Sequence, residues 1–200
     1  IAAIRDDSPV VYMFHKGVMG LPWMAKNARA TDVVPTEAYE LPIGKARIAR
    51  AGSDVTLVTI SLSVHHALDV ADRLAADGVA DVEVIDLRSL VPLDREAILT
   101  SVAKTGRLVV VDDFMKGNTV FPVPQATFPV CNVTYKDPAT AHDLTELVAT
   151  ITDRDPSMLQ APVQRVAVPD VPIPYAHGLE HAVLPNTDRI EAAIRAVMGV

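Results

Sequence analysis

Cysteine is nearly absent. The single Cys131 permits no intramolecular disulfide, so no covalent staple fixes this fold. A reducing cytoplasm is the expected setting. Aromatic residues are scarce at 4%, so the core must be built from Val, Leu, Ile and Ala. No apolar run approaches the roughly 20 residues that span a bilayer, so no transmembrane helix is expected. Positive charge is in deficit: 18 Lys and Arg face 25 Asp and Glu, a net −7. That balance argues against a general nucleic-acid partner and an anionic membrane surface, which both need a cationic footprint, and leaves room for a local basic patch. The first residues, Ile-Ala-Ala-Ile-Arg-Asp-Asp, lack the basic start and apolar run of a secretory signal. They also lack an initiator Met and begin in mid-pattern, so a piece of a longer chain is expected. There is no G-x-G-x-x-G, P-loop, G-x-S-x-G, C-x-x-C or H-E-x-x-H.

What is present centres on Asp54 to Asp113. Val55–Ile60, Val82–Leu87 and Leu108–Val111 are short, β-branched and bounded by polar residues or Gly, so each reads as a strand. The segments between them have helical spacing. In the first, Val64, Ala67, Leu68, Ala71, Leu74 and Ala75 form one stripe, with Ser63 as N-cap and Gly78 as stop. The second opens at Asp94, carries Ile98, Leu99, Val102 and Ala103, and stops at Gly106. Strand and helix in alternation predict a three-layer α/β/α fold with a mostly parallel sheet. That fold class hosts many chemistries and fixes none.

The flanks are less regular. Residues 1–8 read as the tail of a helix, and Val10–Phe14 as a strand. Residues 17–42 contain Pro22, Pro35 and Pro42 and read as a linker. Ile43–Arg50 contains an edge strand. Residues 114–143 hold Pro122, Pro124, Pro129 and Pro138 with no period, and read as an insertion or lid. Helical order resumes at Leu144, where Asp143 and Glu146 resemble a capping box. Val163–Val168 is a further strand. Pro169–Tyr175 is an extended crossing, Glu180–Leu184 a helical turn, and a closing helix follows Asn186-Thr187.

Four features are candidates for chemistry. His65-His66 open a helix after a strand, where ligands approach α/β sheets, yet adjacent helical residues diverge by about 100° and do not share one ion. The favoured reading is structural, with one of them packed and one wet. Asp86, Asp112 and Asp113 end strands, where carboxylates hold a metal or a ribose, or form turns. Arg88 lies in a βα loop and can meet a phosphate, a partner carboxylate or its own chain's acid. Cys131, with His142 nearby in sequence, is a nucleophile candidate or a plain thiol.

Several blocks carry a family resemblance. Ala3–Val11 with Phe14-His15-Lys16 resembles the last helix and strand of a thiamine-binding pyrimidine domain. Leu41–Ala46 resembles the entry into the next domain. Ile85-Asp86-Leu87-Arg88-Ser89-Leu90-Val91-Pro92-Leu93-Asp94 is the most specific block, followed by Thr105–Asp112, Ala161–Val166, Pro172–Tyr175 and Leu179-Glu180. Together they resemble the beta subunit of the decarboxylating component of 2-oxo acid dehydrogenases, of the pyruvate, branched-chain and acetoin type.

The resemblance implies residues 1–16 as the tail of a pyrimidine-binding domain, 17–42 as linker, and 43–200 as a transketolase C-terminal-like domain with an atypical insertion at 114–143. It implies oxidative decarboxylation of a 2-oxo acid and acyl transfer to lipoamide in the whole enzyme, with thiamine diphosphate and magnesium. Implied partners are an alpha subunit, a second beta subunit and the dihydrolipoyl acyltransferase core. No catalytic, cofactor-binding or metal residue carries over to this chain, which alone would be inactive and bind no cofactor. Arg88, Asp112, Asp113 and Gln160 are left as interface candidates. Gln160 stands where relatives often carry Asp. Two alternatives remain: a stand-alone oligomerisation or partner-binding module, and the C-terminal domain of another thiamine enzyme of transketolase type.

Overall fold

The computed structural model describes residues 1–13, 15, 33, 35–115, 144–169 and 171–200. A five-stranded sheet is its centre: β1 (Arg47–Arg50), β2 (Val55–Thr59), β3 (Val82–Asp86), β4 (Leu108–Met115) and β5 (Gln164–Val168). The order across the sheet is β1-β3-β2-β4-β5. Strands β3, β2, β4 and β5 are parallel, and β1 lies antiparallel on β3 with Arg47 opposite Asp86. Every residue of β2 is buried, the pattern of a strand covered on both faces.

Alternation along the strands sorts the core into two layers. Val55, Leu57, Val82, Val84, Val109, Val111 and Val166 face α2 (Leu62–Ala76) and α6 (Thr187–Met198). Val58, Ile85, Leu108 and Val110 face α3 (Arg95–Thr105) and α4 (Leu144–Arg154). The fold is the expected three-layer α/β/α. Each fully buried Leu or Ile contributes about 2 kcal/mol of transfer free energy.

Helix ends follow local chemistry. Asp94 accepts the Ala97 N–H at 3.4 Å and caps α3, which ends at Gly106 with φ +69°. Asn186 accepts the Arg189 N–H at 3.0 Å and caps α6. Three details differ from the sequence reading. The N-cap of α2 is Ser61, with φ +63°, and Ser63 is buried inside the first turn. Ala75 and Ala103 are exposed, whereas Val70, Ser101 and Thr105 are buried. Residues 10–13 are not a strand. A strand needs a ladder partner, and the described residues place none beside them.

A short helix α1 (Ala2–Arg5) stands at the start, and α5 (His177–Val183) begins earlier than the expected turn at Glu180. Residues 114 and 115 extend β4, and the rest of the insertion, with Cys131 and His142, lies outside the described residues, as does Asp143 of the proposed capping box.

Candidate functional site

The parallel strands give the sheet two distinct ends. At their C-terminal ends, where open α/β sheets receive ligands, β3 finishes at Asp86 and the chain turns through Arg88, which holds φ +56°. The backbone N–H of Arg88 donates to Asp86 Oδ1 at 3.3 Å. The Arg88 guanidinium stands 3.8 Å from Asp86 Oδ2, and Arg47 on β1 stands 3.8 Å from the same oxygen. Burial pushes the Asp86 carboxyl above its ordinary pKa, and the charges of Arg47, Arg88 and His65 only partly offset this. His65 reaches the cluster from the first turn of α2. Both His65 and His66 are half-buried, so neither is the fully wet member expected from the sequence.

The sheet keeps the other candidates apart. Asp112 is 4% exposed and faces the α3–α4 layer, where Arg165 of β5 stands 3.6 Å from its Oδ2. Asp86 belongs to the opposite face, so the two carboxylates cannot share a ligand. Asp113 lies next on β4. Gln160 is at the other end of the sheet: its N–H donates to the Gly106 carbonyl at 2.7 Å, and its side chain lies where a Cβ on Gly106 would stand. The interface candidates thus occupy three places. Arg88 joins Asp86, Asp112 joins Arg165, and Gln160 closes the turn after α3.

That N-terminal end holds a polar network the sequence reading missed. Glu83 of β3 is 2% exposed. Its carboxylate accepts from Ser101 Oγ at 2.6 Å, from Lys104 Nζ, and from the Gly52 N–H at 3.4 Å. Thr56 Oγ1 lies 2.7 Å from both Ser101 Oγ and Thr105 Oγ1. Burial raises the Glu83 carboxyl, but the bonds from Lys104, Ser101 and Gly52 outweigh it, and the net shift is downward. The available signal was period: Thr56 and Glu83 break apolar strands at positions that face Ser101 and Thr105, one helical turn apart on α3.

Among the described residues, no three His, Cys, Asp or Glu side chains converge as a metal seat. No described helix is long and apolar enough to cross a membrane.

Comparisons with known proteins agree with this architecture. Residues 44–120 match the transketolase C-terminal domain family. The 2-oxoisovalerate dehydrogenase subunit beta of Bacillus subtilis is 35% identical over 195 residues, 97% of this chain and 50% of that one. The pyruvate dehydrogenase E1 component subunit beta-1 of Arabidopsis thaliana is 39% identical over 98% of this chain and 45% of its own. The acetoin:2,6-dichlorophenolindophenol oxidoreductase subunit beta of Cupriavidus necator is 36% identical, over 99% and 49%. The chain therefore spans about half the length of the curated relatives it matches. A solved split gene transketolase, described as an inactive beta4 tetramer, overlays with a TM-score of 0.57 at 23% identity, covering 84% of this chain and 45% of that one, and supports the fold. With a match to the transketolase C-terminal domain over residues 44–120 and about 35% identity over nearly its whole length, the chain is similar to the beta subunits of pyruvate, branched-chain and acetoin dehydrogenases.

Proposed function

We propose that this chain forms the assembly and docking portion of the beta subunit of a 2-oxo acid dehydrogenase. The whole enzyme would oxidatively decarboxylate a 2-oxo acid and pass the acyl group to lipoamide. The observation that carries this reading is 35–39% identity to the beta subunits of a 2-oxoisovalerate dehydrogenase, a pyruvate dehydrogenase and an acetoin oxidoreductase over 97% or more of the chain. The proposed partners are an alpha subunit, a second beta subunit and the dihydrolipoyl acyltransferase core. The proposed setting is the cytoplasm, which suits a lone thiol at Cys131.

Thiamine diphosphate with magnesium would supply the carbanion chemistry of the whole enzyme. The described residues do not fit a seat for that group. Glu83 is already neutralised by Lys104, Asp112 faces Arg165, and Asp86 lies between Arg47 and Arg88. No chemical step is therefore assigned to them. Their work is positional: they hold the loops at the ends of a doubly covered sheet, where a neighbouring chain would dock.

The test is affinity capture of the native protein from its source. We expect a second subunit and thiamine diphosphate to accompany it, and the captured material to decarboxylate a 2-oxo acid. A native protein isolated without cofactor and without a second kind of chain would overturn the dehydrogenase reading and leave a stand-alone module.

A further inference from the structure

We propose that the C-terminal end of β3, with Arg47 and Arg88 as its cations and Val91 as its apolar contact, docks an acidic, apolar segment of a partner protein. This deepens the assembly reading above and rests on it for the existence of a partner chain.

Two arginines on one short strand are used unequally. Arg50, at one end of β1, closes on Asp81 at 2.8 Å and on Asp72 at 3.1 Å, and also donates to the Val82 carbonyl at 2.7 Å. Arg47, at the other end, approaches only Asp86 among the described residues, at 3.8 Å, beyond hydrogen-bond reach. Arg88 approaches the same oxygen, also at 3.8 Å. Among the described residues, two guanidinium groups therefore share one carboxylate without a side-chain hydrogen bond to it, and one positive charge is left over. Guanidinium forks bind carboxylates best when two N–H groups engage together, and here both forks are open. Arg47 is 49% exposed and Arg88 30%, so solvent-side access exists.

Backbone contacts hold this surface in one piece. The Gly44 N–H donates to Ser89 Oγ at 3.0 Å, and the Ala46 N–H donates to Asp94 Oδ2 at 3.1 Å. A Cβ on Gly44 would lie 2.6 Å from Pro92 Cγ. Residues 44–47 thus run against the 86–94 loop, and Lys45, 65% exposed, stands 3.8 Å from Asp94 Oδ2. Arg88 itself holds a left-handed backbone, a conformation that non-glycine residues keep only when the surroundings impose it.

Charge and apolarity together select the partner. Val91 is 64% exposed in the same loop, and Leu41, just before Gly44, is 48% exposed. A small phosphate would use the arginines and leave these side chains in water. Nucleic acid needs a longer basic stripe than Arg47, Arg88 and Lys45 provide. A peptide segment carrying carboxylates between aliphatic side chains uses both features.

The test is an NMR titration of the full chain, reading the arginine Nε–H signals at about 50 mM salt, where screening is weak. The probe is the peptide acetyl-Leu-Glu-Val-Glu-Leu-Trp-amide, with its Gln-for-Glu isostere and inorganic phosphate as comparisons. We expect the Arg47 and Arg88 signals to move with the acidic peptide, to stay with the isostere, and to respond less to phosphate. The double variant R47Q/R88Q should bind the acidic peptide at least about tenfold more weakly. No movement of either signal, equal response to the isostere, or an equal response to phosphate would overturn the proposal. The wild-type titration alone decides this if the double variant fails to fold. Because the titration reads the surface and capture of the native protein reads the assembly, either can fail without the other.

Discussion

Glu83 and Asp86 lie on the same strand, β3, and both are largely buried, yet their surroundings treat them in opposite ways. Glu83 sits at the N-terminal end of the sheet, with Ser101, Lys104 and the Gly52 N–H bonded to it, and its pKa falls. Asp86 sits at the C-terminal end, flanked by two guanidiniums that stop at 3.8 Å, and its pKa rises. Burial opposes ionisation at both sites, so bonding decides the sign. One end of the sheet satisfies its own polar groups and holds α3 in place. The other, among the described residues, leaves Arg47 and Arg88 without a side-chain hydrogen bond to the carboxylate they share.

Four perturbations separate the two ends. Gly52→Ala should cost most, about 3 kcal/mol in urea unfolding, because its Cβ would lie 2.3 Å from the Val82 carbonyl carbon, where backbone cannot give way. Glu83→Gln should cost about 2 kcal/mol at neutral pH, since it removes a charge-assisted bond and leaves the Lys104 ammonium unmatched. The same unfolding measurement checks it. Asp94→Ala should cost about 1 kcal/mol and speed amide exchange in the first turn of α3, because Asp94 accepts from both Ala97 and Ala46. Asp86→Asn should change stability least, by less than about 1 kcal/mol at neutral pH, because the charge it removes is one that burial disfavours. A loss at Asp86 as large as that at Glu83 would break the comparison.

Much of the fold was legible in the sequence, because its signals are local. The β-branched runs at Val55, Val82 and Leu108 form strands wherever they can be covered, and Asp94 and Gly106 bound a helix by their own chemistry. Ser61 was missed as the cap of α2 because its positive φ is imposed by the turn from β2, not by its side chain. Ala75 and Ala103 were placed in the core because Ala fits either environment, and packing alone decides. The site was less legible. Asp86 and Asp112 look equivalent in sequence, yet strand alternation puts them on opposite faces. Arg47 and Arg88 meet only because β1 pairs antiparallel with β3, and antiparallel register is not a local property. The Glu83 network was hidden for the same reason: Gly52, Ser101 and Lys104 converge on it only after α3 packs against the sheet.

The most direct test is the pH dependence of unfolding for Glu83→Gln and Asp86→Asn beside the wild type. A lowered carboxylate pKa stabilises the fold above its ordinary value and loses that contribution as pH falls through the folded value. A raised one carries no penalty in acid, and the penalty grows as pH rises from the ordinary value through the folded one. From pH 7 downward past about 4, the ordinary carboxylate range, the stability deficit of Glu83→Gln should therefore shrink. Over the same range Asp86→Asn should lose ground relative to the wild type. Differences that move in these opposite directions would establish that the two ends of the sheet are held differently. Differences that move together, or that stay flat for Asp86→Asn, would contradict it.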